Sequence, residues 1–428
     1  MAEISPFQGV RYNPNVVKVL NEVICPPYDI ISPREQGLFY DRSEYNIIRL
    51  EHGMVHKNDN KKNNKYTRAR EQFTQWLSGG ILTVDRDPTF YIYEQGFTYK
   101  GDYRKRIGLM ACVRLEPFSR RIIFPHEETI TGVKSDRLEL MSALNADVSP
   151  ILGLFDDPGN KIAKLMTDRM LPGRLLINIS NGEETHRMWK ANEPEFVQRV
   201  SHFMAPKAIY IADGHHRYET ALAYQDKRAK GSVSQGTEGY NYILMTLVSF
   251  SDPGILMLPV HRVVRKIQPE ALQEFRSHVA DYFDVGVLPL TESNLEEKNG
   301  TDIRVLGLEK DGIVNLRLKP SAPLRDMLPP GHSQHFYRLD VSIVEHVILH
   351  KLLAGSNKDG NVSYTADTVQ ALSSIRSGES QMAFLLNTMP ASYIKLITDA
   401  NDRMPRKSTY FYPKLPTGLV INRLDGRL

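Results

Sequence analysis

The stretch that most restricts the fold is Lys207 to Lys230, KAIYIADGHHRYETALAYQDKRAK. Lys207 to Ala212 is a short apolar run, which predicts a buried strand. It stops on Asp213-Gly214-His215-His216-Arg217, and the residues after it carry a helical pattern. A buried strand, a glycine turn and a helix start in direct succession belong in a layered fold of strands and helices. A helix start presents N–H groups that have no intrahelical acceptor, at the positive end of the helix dipole. Such an end suits phosphate or another anion. Gly214 lets the backbone approach a ligand closely, and Arg217 is a candidate phosphate clamp. His215 and His216 are candidates to move a proton, stabilise charge or ligate a metal. Asp213 either caps the helix or holds a divalent cation in a nucleotide site. The plainer alternative is a capped helix carrying two surface histidines.

The remaining pattern is mixed. Phe90 to Tyr93 and Ile107 to Leu115 read as strands joined by a turn at Tyr99 to Asp102. Leu175 to Ile179 and Thr185 to Trp189 predict a second hairpin about Asn181 to Glu184, and Asn241 to Phe250 a central strand. Helices are predicted over Thr67 to Leu77, with Phe73 and Trp76 inward, and over Ser135 to Ala146, with Leu138, Met141 and Leu144 on one face. Others are predicted over Pro194 to Phe203, Pro269 to Tyr282 and Ser342 to Leu353, and the tail ends in a strand at Leu419 to Ile421. Hairpins mixed with helices argue for an α+β (mixed α/β) fold. At about 150 residues per domain, 428 residues predict two or three domains. We expect an N-terminal α+β core over residues 1–250, and a C-terminal α+β region over 251–428 whose tail packs back on the core.

Composition narrows the function. Lys and Arg number 54 against 50 Asp and Glu, so the net charge is 54 − 50 = +4, which disfavours nucleic acid as a partner. Two cysteines, Cys25 and Cys112, cannot build a disulfide framework or a four-thiolate zinc site. The opening MAEISPFQGVRYNP lacks the pattern of a secretory signal, and no window reaches the roughly 18 apolar residues of a membrane span. A cytoplasmic protein without a membrane partner is expected, and a homo-oligomer stays open.

Three further clusters carry chemistry. Pro125-His126-Glu127-Glu128-Thr129 offers imidazole and carboxylate for general-base work or magnesium binding, against the alternative of an acidic surface turn. It is not HExxH, because position 130 is isoleucine. In Cys25-Pro26-Pro27-Tyr28-Asp29 the paired prolines stiffen the backbone and either aim Tyr28 and Asp29 at a substrate or merely connect. In the tail, Arg403 to Lys414 interleaves basic and aromatic residues, with Lys407 a candidate substrate contact and surface packing the alternative. There is no GxxxxGK[ST], GxGxxG after a strand, HRD…DFG set or GxSxG.

The segments CPPYDIIS, YNIIRLE, FPHEET, ADVSPILGLFDD, IADGHHRYETAL and MPRKSTYFYPKLPTGLVI resemble, in that order, a bacterial and archaeal family labelled domain of unknown function 1015. More distantly, DGHHR is similar to a segment of free-serine kinases in the ParB/sulfiredoxin superfamily. That resemblance implies a ParB/sulfiredoxin-like core and phosphoryl transfer from ATP or ADP, with Mg²⁺, to a small hydroxylated metabolite, free L-serine first among them. It implies that Gly214, His215, His216 and Arg217 cradle phosphates, with Asp213 and His216 in catalytic roles. It also implies a glutamate base, Glu127 foremost, with Glu51 and Glu128 as the other candidates. Asp213 and Glu128 are the expected metal ligands, and Tyr28, Asp29, His126 and Lys407 the expected substrate contacts. A phosphohydrolase or nuclease using the same residues, or a nucleotide-sensing or DNA-associated module, is the alternative. The sulfinic-acid reductase of that superfamily needs a cysteine where Gly214 and His215 stand.

Overall fold

Both hairpins and the central strand expected from the sequence meet in one sheet. The computed structural model describes residues 1–129, 131–230, 236–296, 302–356 and 360–428. They form two compact units, Met1–Pro125 with Thr129–Ile255 and Pro413–Leu428, and His126–Glu128 with Leu256–Tyr412.

The first unit is built on a mixed sheet, nine-stranded among the described residues. Its strand Tyr242–Ser249 is buried along its whole length. Apolar residues therefore run through it without alternation, as in strands covered on both faces. It pairs antiparallel with Asp102–Arg114 and parallel with Ile151–Phe155. Beyond Asp102–Arg114 lie Phe90–Tyr99, Glu184–Ala191 and Leu175–Asn181, and beyond Ile151–Phe155 lie Ile209–Asp213 and Ile123–Pro125. Lys100 and Gly101, at φ 51° and 86°, make the two-residue turn of the first hairpin. A turn with both central residues at positive φ matches the twist of the flanking strands.

Helices Thr131–Leu144 and His215–Ala229 pack on each other, and the second also packs on strands Ile151–Phe155 and Tyr242–Ser249. The face that Thr131–Leu144 buries includes Arg137, Leu140, Met141 and Leu144, while Leu138 is only partly buried. The expected stripe was thus displaced by a buried arginine, which a hydrophobic count passes over. Helix Lys65–Ser78 buries Phe73 and Trp76 as expected, in a cluster with Tyr12, Ile47, Leu144 and Ile421.

Ile421 enters that cluster because the tail returns to this unit. Thr417 exchanges backbone hydrogen bonds with Cys25, Ile421 does so with Val10, and Asn422–Arg423 pairs with Ala146–Asp147. The strand expected at Leu419 to Ile421 therefore lies one step further on.

The second unit holds a six-stranded sheet among the described residues, in the order Phe283–Pro289, Gly312–Leu318, Ile303–Leu306, Met382–Leu385, His261–Val264, Val362–Thr365. Every neighbouring pair in it is antiparallel. Helix Pro269–Tyr282 has the expected bounds. The helix expected at Ser342 to Leu353 is instead wound wide over Ile343–Leu352, with Leu353 N–H reaching back to the Ile348 carbonyl. Both units are α+β, the expected class. Among the described residues no helix is long and apolar enough to cross a membrane.

Ile421 is 1% exposed. Ile421→Ala should destabilise the first unit by about 2–5 kcal/mol, the usual cost of such a core truncation. Denaturant unfolding of the full chain checks this, and a loss under 1 kcal/mol (roughly, on the same scale) would mean that the tail is not integral to the core.

Candidate functional site

Strand Ile209–Asp213 is buried to its last residue and runs between Ile151–Phe155 and Ile123–Pro125. Gly214 follows at φ 99°, and helix His215–Ala229 starts on the next residue. A Cβ at Gly214 would stand 3.0 Å from Arg217 Nε and 3.0 Å from Ile151 Cγ1. Any other residue there would be both strained and crowded.

Arg217 does not stand out as a clamp. It is 9% exposed, and its Nη1 donates to the Pro150 carbonyl at 2.5 Å while Nη2 donates to Asp213 Oδ2 at 2.7 Å. Lys414, from the returning tail, donates through Nζ to the other oxygen of Asp213, Oδ1. Asp213 is thus an ion-pair centre and does not cap the helix, and Arg217 braces the turn. His215 is buried and His216 half-buried on the first helical turn.

A second layer lies behind the turn. Burial lowers the Arg217 pKa, but Asp213, Asp29, Tyr28 and Glu51 outweigh it and hold the guanidinium above its ordinary value. Glu51 is 2% exposed, and its Oε1 accepts from Ser149 Oγ at 2.8 Å and from Tyr28 N–H at 3.4 Å. Ser149 Oγ lies 2.6 Å from Thr417 Oγ1. Arg137 donates through Nη1 to the Glu51 carbonyl at 2.8 Å and stacks its guanidinium 4.1 Å from the Tyr28 ring centre. Burial pushes the Tyr28 phenol up, with Asp29 adding to the shift and Arg217 and Arg137 opposing it. Asp29 itself is exposed.

Within the second unit His126 and Glu127 meet the Met404–Thr409 stretch of the tail. Glu127 Oε1 accepts from the backbone N–H of Ser408 and of Thr409, both at 2.9 Å, and from Thr409 Oγ1 at 3.0 Å. His126 is 0% exposed, with Nε2 2.8 Å from Thr409 Oγ1 and its carbonyl taken by Met404 N–H at 2.7 Å. A side chain so enclosed ties this loop to the tail. Buried Arg262 fixes the neighbouring turn through the carbonyls of Arg406 and Lys407, leaving the Lys407 side chain exposed at φ 55°. Glu128 is exposed.

Asp213 is neutralised by two cations, and among the described residues no three His, Cys, Asp or Glu side chains converge to hold a metal ion. Sequence reasoning had not singled out Arg137, Ser149, Lys414 or Thr417. Ser149, Lys414 and Thr417 lie in the family-like segments ADVSPILG and KLPTG, so their signal was recurrence of the segment and not residue chemistry.

Arg217→Met would leave the Pro150 carbonyl unanswered and Asp213 with one cation. It should cost about 3–5 kcal/mol, as breaking a buried pair does. An unchanged unfolding midpoint would restore Arg217 to the role of a surface clamp.

No curated protein matches the chain. Among solved structures it is similar to a conserved hypothetical protein from Pyrococcus furiosus, at 12% identity and TM-score 0.36, over 70% of this chain and 92% of that one. It is also similar to a free serine kinase variant in complex with ADP, at 12% identity and TM-score 0.37, over 72% and 89%. A third is SbnI with C-terminal truncation from Staphylococcus aureus, at 11% identity and TM-score 0.35, over 74% and 87%. The model of the protein family of unknown function DUF1015 matches residues 4–342, well over half of the sequence. The chain belongs to the DUF1015 family.

Proposed function

We propose that this protein is a nucleotide-dependent phosphotransferase whose acceptor is the hydroxyl of a small metabolite, with free L-serine the first to test. The observation that carries the reading is the Gly214 turn. It sets the start of a fifteen-residue helix at the end of a buried strand and braces it with a buried arginine. Phosphoryl transfer asks little covalent chemistry of a protein beyond positioning and charge stabilisation. Gly214 and the first-turn N–H groups of His215 and His216 would receive nucleotide phosphates. His216, half-buried beside them, would stabilise the transferred charge. Arg217 and Lys414 act through Asp213 by fixing the turn, as positioning residues.

Serine leads because DGHHR resembles the corresponding segment of free-serine kinases. Glu127 is the carboxylate we assign to the acceptor's proton, since the bonds from Ser408 and Thr409 hold it in one orientation. Glu51 is passed over for that role because it is buried under Tyr28 and Ser149. Tyr28, Asp29 and Lys407 remain the proposed substrate contacts. With no such donor set among the described residues, the protein would take Mg²⁺ as the nucleotide's own counter-ion, bound through phosphate oxygens.

Phosphorus NMR of the full chain with ATP or ADP, Mg²⁺ and serine should show a new phosphomonoester. Inorganic phosphate alone would mean transfer to water and a hydrolase, and no turnover of either nucleotide would sink the reading. Gly214→Val should abolish turnover. Glu127→Gln should lower kcat about 10²- to 10⁴-fold, the usual share of a general base, with nucleotide KM unchanged. Glu51→Gln should lower the melting temperature and leave kcat within a few-fold. A reversed pattern would transfer the base to Glu51.

A further inference from the structure

The helices Thr131–Leu144 and His215–Ala229 line a cavity of about 40 Å³ in the first unit. Much of its wall is apolar, from Leu140, Leu144 and Ile243. Asp147 and Thr220 also line it, 4% and 1% exposed. Asp147 Oδ1 and Thr220 Oγ1 have no hydrogen-bond partner among the described residues. The other oxygen of Asp147 accepts from Leu244 N–H and from Asn422 Nδ2, both at 3.2 Å and both uncharged. No cation among the described residues pairs with this carboxylate.

A buried carboxylate without a counter-charge and a hydroxyl without a partner both call for an occupant. Water would satisfy the hydrogen bonds and leave the charge. A divalent ion would bring two positive charges against one carboxylate, and such ions are usually held by more than one. A single positive charge on a species of water's size answers both, and the cavity has room for it. We propose that this cavity is a monovalent-cation site, with Asp147 Oδ1 and Thr220 Oγ1 as its side-chain ligands. The site stands independently of the phosphotransferase reading, since it uses none of the groups assigned to transfer.

The proton competes with the cation here. Burial pushes the Asp147 carboxyl up to about 7, with the bonds from Asn422 and Leu244 opposing the shift. The charged or titratable groups around it are Tyr224 on the helix and Cys112 on strand Asp102–Arg114, with Glu51, Arg137 and Arg217 further along the cavity. Cation binding requires the ionised carboxylate, so it strengthens as pH rises through that value.

The test is thermal unfolding of the full chain in potassium, ammonium, sodium and choline chlorides at equal ionic strength. At about pH 8 one or more small cations should raise the midpoint saturably over choline, and the rise should shrink at about pH 6. Asp147→Asn and Thr220→Val should raise the half-saturating concentration about tenfold or more, while Thr220→Ser keeps the response. Equal midpoints of the unaltered chain in all four salts would overturn the site and assign the cavity to water. A saturable rise that persists in both ligand variants would place the cation elsewhere and overturn it equally.

Discussion

Asp213 ends a buried strand, where an uncompensated carboxylate would be costly to desolvate. It is compensated twice, by Arg217 one helical turn on and by Lys414 two hundred residues on in sequence. The first contact is local and sets the pitch of the turn through Gly214. The second is remote and makes the turn depend on the tail. Geometry and charge at the start of helix His215–Ala229 therefore come from one three-residue arrangement.

Behind it, the Glu51 layer does the same work with hydroxyls and a second buried arginine. Ser149 stands between a carboxylate and the Thr417 hydroxyl, and Arg137 lies over Tyr28. Segments from five parts of the sequence thus meet within about two side-chain lengths of one another, which no local pattern announces. The second unit repeats the theme at Glu127, where a single carboxylate oxygen collects three donors from Ser408 and Thr409. In both units a carboxylate holds a loop made from residues far apart in the sequence.

What was readable beforehand was what depends on near neighbours. The hairpin at Lys100-Gly101, the strand before Asp213 and helix Pro269–Tyr282 follow from turn chemistry and periodicity, and each stands where expected. The buried charges were not readable that way. Arg137 sits on the inward face of its helix at a position where periodicity asks for an apolar residue, and His126 appears polar and exposed until its loop is seen to close on Thr409. Lys414 looked like one more basic residue in a basic tail. Its partner lies across the fold, and a sequence does not display partners at that separation.

The returning tail has a consequence for how such a chain is made. Lys414, Thr417 and Ile421 are synthesised after the second unit, yet they complete a unit whose other parts are synthesised first. Until they emerge, Asp213 lacks its second cation and the Val10 strand its partner. The second unit, whose residues end at Tyr412, is synthesised in full before the first can close. A polypeptide without Lys414 keeps Asp213, Gly214 and Arg217 and still lacks the second cation of its turn. The order of synthesis is thereby written into the electrostatics of the turn.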